Sequence, residues 1–161
     1  MHPTKQLKGL EEALDRFKAC IRLLPEALFT ARMDDWTPRD VVAHLIGWNR
    51  HTIEGCREIL EDRKPHYLGD AFNDFSNLNA QSVERYSCKD REGLLAELDS
   101  SFNELGAYLR TVDPDRWETH DGVRHEKWII TAPDSVDALR NDYEAHREEI
   151  ERWLRGVGPR A

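Results

Sequence analysis

The stretch Trp36-Thr37-Pro38-Arg39-Asp40-Val41-Val42-Ala43-His44-Leu45-Ile46-Gly47-Trp48 begins the helix that decides the fold. Thr37 has the side chain of an N-cap, Pro38 suits the first helical position, and Asp40 can reach back to the cap as in a capping box. The apolar residues that follow place His44 on the face of the helix that points to the core. This stretch therefore predicts a well-defined helix that carries a histidine on its buried side.

Apolar residues at steps of three and four predict three further long helices besides this one. The four are expected over residues 4–24, 38–62, 94–112 and 134–156, the last capped by Asp134 or Ser135. A weaker helical pattern covers residues 72–86 after a cap at Asp70, and residues 26–32 suit a short helical turn. Residues 117–133 are the least helical, with a turn at Asp121-Gly122 and a short extended piece over 127–131. The pattern predicts an all-α, antiparallel four-helix bundle with a short irregular segment before the last helix, in one domain over residues 1–161.

The composition restricts the classes of function. The 161 residues are 39% hydrophobic and 34% charged, and the formal net charge is −8. An acidic surface repels phosphate backbones, so nucleic-acid binding is not expected. No apolar stretch is long enough to span a membrane, and the first residues lack an apolar leader, so a cytoplasmic location is expected. The widely spaced Cys20, Cys56 and Cys88 do not form a pattern of disulfides or of zinc-binding thiolates.

Two histidines on core-facing stripes predict a site. His44 lies on the second long helix and His146 on the last, where Asp142 precedes His146 by four residues and so shares its face. Three such ligands would leave a coordination position open, as in catalytic metal sites. Mixed imidazole and carboxylate ligands suit zinc, nickel, iron or manganese. The alternative is that the histidines are hydrogen-bonded core residues and that Asp142 is simply exposed.

Neighbouring residues supply the walls of the predicted pocket. Trp48 lies one turn after His44, and His51 lies two turns after it, too far along the axis to bind the same ion. Asn79 falls on the apolar face of its helix and is expected to point inward. Cys56 follows His51 by five residues, a helical spacing that separates the two side chains and argues against a thiol nucleophile. His120 and His125 lie in the irregular segment and are expected to be solvated.

The two histidine helices resemble those of a known family. The segment from Trp36 to Trp48 is similar to the W-S/T-x-x-D-x-x-A-H-L-x-x-W helix of the DinB/YfiT-like four-helix-bundle superfamily. The ending Asp142-Tyr143-x-x-His146-x-x-x-Ile150-x-x-Trp153 resembles the H-Y-x-E-H-x-x-x-I-x-x-W ending of its ClbS/DfsB-like branch. This sequence has Asp142 where that pattern has His, and Ala145 where it has Glu.

The resemblance implies an antiparallel bundle with a pocket at one end, often as a homodimer. Many members hold a divalent metal on three histidines, and His44 and His146 match two of those positions. With Asp142 at the third, the implied set is His/Asp/His, with zinc or nickel expected first and iron or manganese as alternatives; a site without an ion stays open. Members of the superfamily include enzymes that use thiol cofactors and proteins that protect cells from reactive small molecules.

The sequence thus leads to three hypotheses. The first is an enzyme that processes small molecules, a metal-dependent hydrolase or thiol transferase acting in detoxification or self-protection, with the metal activating a water or a thiol. Without a metal, His44 and His146 would serve as general acid and base. The second is a non-catalytic bundle that sequesters a ligand without metal. The third is a helical interaction module whose histidines are core residues.

Overall fold

The computed structural model describes residues 1–68 and 75–157 of the chain. Its elements, in chain order, are α1 (Pro3–Leu23), α2 (Glu26–Phe29), α3 (Pro38–Leu60), α4 (Phe75–Tyr86), α5 (Arg91–Thr111), α6 (Pro114–Thr119), β1 (Val123–His125), β2 (Trp128–Ile130) and α7 (Ala132–Val157). The cap predicted at Asp70 and the start of the third helical stretch at Phe72 lie outside the described residues.

Four long helices form a closed ring in which α1 and α3 each pack against both α5 and α7. The largest fully buried side chains come from these helices and from α2 and α6, and include Leu10, Phe17, Phe29, Leu45, Leu98, Trp117 and Tyr143. The all-α four-helix bundle expected from the sequence is confirmed. In the described part of the chain, no helix is both long enough and apolar enough to cross a membrane.

The ring contains two antiparallel pairs of helices. Between α3 and α7, His44 meets Asp142 near the beginning of α3. Near the end of α3, Cys56 Sγ contacts the carbonyl oxygen of Ala132. Between α1 and α5, Lys18 bonds Asp99, and Glu11 pairs with Arg110 in the reverse order. These antiparallel neighbours matter for the site, because the first turns of α3 lie beside the middle of α7.

The other two neighbouring pairs run parallel, which the sequence pattern did not indicate. Between α1 and α7, Gln6 bonds Asp137 and Arg16 bonds Glu144. Between α3 and α5, Asn49 bonds Ser101, and Arg57 lies over the ring of Tyr108. A long connection, which includes α4, takes the chain from the end of α3 back to the level at which α3 begins, and α5 starts there. A second long connection joins α5 to α7. The bundle is therefore up-down-down-up.

The helix starts follow local capping chemistry. The capping box of α3 is confirmed, with Thr37 Oγ1 accepting from the Asp40 amide at 3.1 Å and Asp40 Oδ2 accepting from the Thr37 amide at 3.0 Å. The last helix begins at Ala132, earlier than predicted, because Thr131 rather than Asp134 is the cap. Thr131 Oγ1 accepts from the Asp134 amide at 3.2 Å, while Asp134 Oδ2 lies 3.4 Å from the Thr131 amide.

The segment before α7 is more ordered than the prediction of an irregular segment implied. Its first residues form α6, whose Trp117 is fully buried. The extended piece predicted over 127–131 becomes β2, which pairs antiparallel with β1 so that Val123 faces Ile130 and His125 faces Trp128. The two-residue turn of this hairpin places Glu126 at φ 54°. The hairpin is the element that closes one side of the cavity described below.

Two glycines of α3 allow neighbouring segments to approach its backbone. A Cβ atom at Gly47 would overlap Ser82 Oγ of α4, and one at Gly55 would overlap Cε1 of Tyr67. Neither position has room for a side chain without movement of its neighbour. The two glycines thus bring α4 and Tyr67 against the helix that carries His44.

Candidate metal centre

His44, Asp142 and His146 meet where the beginning of α3 faces the middle of α7. His44 Nε2 lies 2.9 Å from Asp142 Oδ2, and His146 Nε2 lies 3.1 Å from Asp142 Oδ1. One ligand atom from each of the three residues lies within 4.8 Å of the others, close enough to hold one metal ion. The sequence spacing therefore identified a group that the fold brings together.

The carboxylate of Asp142 is held ionised between the two rings. Burial alone would raise its pKa, but the hydrogen bonds with His146 and His44, together with their charges when protonated, hold the pKa of Asp142 well below its ordinary range. The side chain of Asp142 is 34% exposed, whereas that of His44 is only 7% exposed. An ionised carboxylate beside two imidazoles is a donor set suited to a divalent cation.

Asn79 fixes the orientation of the His44 ring through the ring nitrogen that does not face Asp142. Trp48 Nε1 donates to Asn79 Oδ1 at 2.6 Å, and an indole nitrogen can only donate, so this amide atom must be the oxygen. The same oxygen lies 2.8 Å from His44 Nδ1, which must therefore carry a proton. With Nδ1 donating to Asn79, His44 Nε2 can also donate to Asp142 only when the ring is the imidazolium; in the neutral ring the Nε2 lone pair faces the carboxylate and is free to bind a cation between the two. This is the arrangement of a metal-binding histidine whose other nitrogen donates to a carbonyl group.

Trp36 covers both imidazoles. Its ring centroid lies 4.9 Å from that of His44 and 6.3 Å from that of His146, with the second pair of rings nearly parallel. His146 Nδ1 is buried without a hydrogen bond to the described residues, and Glu149 Oε2 lies 3.8 Å from it. The group is thus shielded on one side, while Asp142 keeps it accessible on another.

A cavity of about 880 Å³ opens above this group, between α3, α4, α7 and the hairpin. Aromatic rings dominate its wall, contributed by Trp36, Trp48, Tyr67, Phe75 and Trp128. Polar groups lie beside the three candidate ligands, among them Asn79, Thr52, His125, Asp134, Ser135 and Asn141. An apolar cavity with a few convergent polar groups is the usual form of a small-molecule site.

Of the three residues predicted for the pocket, Trp48 and Asn79 line this cavity, and His51 is not among the described residues of its wall. His51 lies nearly one helical turn further along α3 than Trp48. Its ring packs edge-on against Trp48, and its Nδ1 lies 2.8 Å from His66 Nε2. His66 in turn donates from Nδ1 to Glu58 Oε1 at 2.6 Å.

Two further sequence expectations can be compared with the structure. Cys56 is fully buried, and this burial raises the pKa of its thiol, which agrees with the argument against a thiol nucleophile. His125 was expected to be solvated, but the hairpin places it in the cavity wall. Trp36, Tyr67 and Trp128 were also not identified as wall residues. Only the position of Trp36 directly before the cap of α3 could have indicated that it lies over the first turns.

A family model matches residues 10–129, three quarters of the chain. Its description is mycothiol maleylpyruvate isomerase N-terminal domain. The chain belongs to this family. The matched residues include His44 and Asn79 and end before Asp142 and His146. Membership in the mycothiol maleylpyruvate isomerase N-terminal domain family confirms the predicted resemblance to the DinB/YfiT-like superfamily.

Solved structures show the same fold at low sequence identity. YfiT from Bacillus subtilis, described as a probable metal-dependent hydrolase with an unusual four-helix bundle topology, is 22% identical over 97% of this chain and 87% of its own, with a TM-score of 0.72. DfsB is 13% identical over 99% of both chains, with a TM-score of 0.79. The colibactin self-resistance protein ClbS, solved with double-stranded DNA, is 15% identical over 98% and 97% of the two chains, with a TM-score of 0.75. No curated protein matches the sequence.

Proposed function

We propose that this chain is a metal-dependent enzyme that acts on a small molecule, by hydrolysis or by thiol transfer, in detoxification or self-protection. The observation that carries the proposal is the position of the His44, Asp142 and His146 ligand atoms, within 4.8 Å of one another beside a cavity of about 880 Å³. The coarser statement, a small-molecule-processing protein of the DinB-like type, is supported by the family and its structural neighbours.

The donor set fits a divalent ion. Asp142 supplies a carboxylate whose pKa is held low, and Asn79 fixes the His44 tautomer that leaves Nε2 free to bind. Two imidazoles and one carboxylate suit zinc or nickel first, and iron or manganese as alternatives. A bound divalent ion would lower the pKa of a water or a thiol and so supply a nucleophile near neutral pH.

The remaining residues would position the substrate and restrict access of water. Trp36 lies over both imidazoles, so solvent would reach the group mainly from the side of the cavity. The side chains of Trp48 and Asn79 are joined by a hydrogen bond and hold one wall next to His44. On the opposite side, Ser135 and Asn141 of α7 offer hydrogen-bonding groups to a bound molecule.

Of the partners named for relatives, a thiol cofactor supports the proposal for this chain, and nucleic acid is not proposed. Mycothiol is a thiol cofactor, and its place in the family's description supports thiol transfer as one of the two reaction classes. The complex of ClbS with DNA is in tension with the expectation that this chain does not bind nucleic acid. We keep that expectation because of the net charge of −8. The homodimer and the cytoplasmic location stay predictions.

Elemental analysis of untagged protein purified without chelators tests the proposal. We expect nearly one transition-metal ion per chain in the wild type, and loss of the ion in His44→Ala and in Asp142→Ala. The matched control is His125→Ala, which removes a histidine of the cavity wall outside the ligand group and should keep the ion. Asp142→His, which restores the three-histidine pattern of the superfamily, should also keep it.

Absence of metal from the wild type, even after incubation with zinc, nickel and manganese, would contradict the metal-dependent mechanism. The cavity would then be interpreted as an acid–base site or as a site that sequesters a ligand. Equal loss of metal in His125→Ala and His44→Ala would instead contradict the assignment of the ligands.

A further inference from the structure

We infer that His51 and His66 form a second metal site, separate from the His44 group, which binds a divalent transition-metal ion such as zinc. His51 lies on α3, seven residues after His44 and so about 10 Å further along the helix axis. His66 lies in the loop that follows α3. The inference is carried by the arrangement of these two rings and does not depend on the function proposed for the cavity.

The two imidazoles face each other through one nitrogen each. His51 Nδ1 lies 2.8 Å from His66 Nε2, and the ring centroids are 4.9 Å apart. Two nitrogens bound to one tetrahedral zinc ion, each at about 2.1 Å, lie roughly 3.4 Å from each other. Moving the two nitrogens apart by about 0.6 Å would therefore bring both to bonding distance of one ion. His66 is exposed and His51 is half-buried, so the side chains have room for this movement and the ion has a path from solvent.

Glu58 holds the ring of His66 in the orientation of a metal ligand. Glu58 Oε1 accepts from His66 Nδ1 at 2.6 Å and from the His66 amide at 3.1 Å. Because the proton is on Nδ1, the neutral His66 ring presents the lone pair of Nε2 toward His51. A carboxylate that accepts from the far nitrogen is a common outer partner of a metal-binding histidine. The Glu58 side chain is only 13% exposed, so water competes little for this bond.

The rings are also held by aromatic neighbours. Trp48 packs edge-on against His51 and Tyr67 packs edge-on against His66, with ring centroids 5.3 and 5.4 Å apart. Without an ion, His51 Nδ1 donates the single proton shared by the pair to His66 Nε2. With an ion between the rings, the proton of His51 is on Nε2 instead, and both facing nitrogens offer lone pairs.

The donor atoms select the class of ion. Imidazole nitrogen suits zinc, nickel and copper, with copper(II) bound most tightly, whereas magnesium and calcium prefer oxygen ligands. In residues 1–68 and 75–157 the group of three possible ligands is that of His44, and the His51 pair supplies two. Water would complete the coordination of an ion at the pair. We therefore expect this site to fill when metal is added rather than to retain an ion through purification.

Nuclear magnetic resonance of the wild type locates the ion residue by residue. Imidazole nitrogen signals of the ¹⁵N-labelled full chain are recorded at pH 7.5 while zinc chloride is added. The signals of His51 Nδ1 and His66 Nε2 should shift together, and at different zinc concentrations from those of His44 and His146. Magnesium chloride should shift neither signal of the pair. These spectra do not require any variant to fold.

Calorimetry measures the affinity in a background that lacks the His44 group. In the double variant His44→Ala/His146→Ala, we expect one zinc ion to bind per chain. Adding His51→Gln to this background should weaken the binding at least tenfold. The matched control is His125→Gln, which removes another half-buried histidine outside the pair and should leave the affinity unchanged.

Glu58→Gln tests the outer partner in the same background. The amide oxygen can still accept from His66 but carries no charge, so the affinity for zinc should fall about tenfold. The signals of the pair should still shift once the site is saturated. Glu54→Gln is the matched control, because it removes the same charge from an exposed residue of α3 that pairs with Arg57. It should change the affinity less than twofold.

Zinc binding that leaves the signals of His51 and His66 unshifted, or that is unchanged by His51→Gln, would overturn the inference. The pair would then be a hydrogen bond that ties the loop to α3. Equal weakening by Glu58→Gln and Glu54→Gln would overturn the role of Glu58. If only the metal-dependent mechanism of the cavity fails, the signals of the pair shift while those of His44 do not, so the two failures are distinguished.

Discussion

At the scale of single residues, the surroundings of His51 make the stability of the fold depend on pH. Burial, followed by the charge of neighbouring His66, lowers the pKa of His51 from 6.5 to about 4. The unfolded chain therefore binds a proton at this position more readily than the folded chain between pH 6.5 and pH 4. The stability contributed by the neutral ring is fully present above pH 6.5 and is lost as the pH falls to 4.

We predict that the free energy of unfolding falls less between pH 7 and pH 4 in His51→Gln than in the wild type. The full shift corresponds to about 3 kcal/mol. We expect roughly 1–2 kcal/mol of it, because the ring is only partly buried and solvent screens it. Urea titrations at both pH values in the presence of a chelator measure this difference. His125→Gln is the control, and an equal change in the two variants would contradict the prediction.

The three candidate ligands could be found from the sequence because helical spacing alone places His44, Asp142 and His146 on inward faces. The cavity wall could not be found in this way. Tyr67 lies in a loop, and Trp128 lies in a short strand, where no helical period applies. Tyr67 can contact α3 because Gly55 has no side chain at the point of contact. The sequence does not show that these two segments meet, so it could not indicate this role of Gly55.

At the scale of elements, the capping box fixes where α3 begins and therefore which of its residues face α7. Thr37→Ala removes the acceptor for the Asp40 amide and should lower the free energy of unfolding by about 1 kcal/mol. Thr37→Ser keeps the hydroxyl group and should remain within a few tenths of a kcal/mol of the wild type. Chemical denaturation compares the three proteins. An equal loss in both variants would show that the hydroxyl is not the stabilising group.

The start of α3 was predictable because Thr37, Pro38 and Asp40 all indicate the same boundary. The cap of α7 was predicted three or four residues late, because Asp134 and Ser135 are themselves good capping residues. In the structure, Asp134 takes the third helical position of a box begun by Thr131. When several adjacent side chains can cap, the sequence leaves the boundary uncertain by a few residues, and packing decides it.

At the scale of the whole molecule, Asn49 joins three helices inside the bundle. The residue is fully buried on α3, donates to Ser101 Oγ of α5 at 2.9 Å and accepts from the Tyr143 hydroxyl of α7 at 2.7 Å. Tyr143 directly follows Asp142, so this bond also sets the rotation of α7 that points the carboxylate at His44. The sequence showed Asn49 only as a polar residue in an apolar helix.

We predict that Asn49→Ala lowers the free energy of unfolding by about 2 kcal/mol, because the Tyr143 hydroxyl loses its acceptor in the core. Tyr143→Phe should cost less in the Asn49→Ala background than in the wild type, since the hydroxyl then has no acceptor to lose. Equilibrium denaturation of the four proteins of this double-mutant cycle measures the coupling. Additive effects would contradict a direct bond between the two side chains.

The ring of helices has a consequence for the synthesis of the protein. His44 and Asp142 are 98 residues apart in sequence, and Asp142 belongs to α7, which is made after the other three long helices. At ordinary rates of translation, about 5–20 residues per second, the ribosome needs about 5–20 s to pass from one to the other. During that interval the nascent chain carries a histidine without its partners. The ligand group is completed only after α7 has been synthesised and docks between helices that have already emerged.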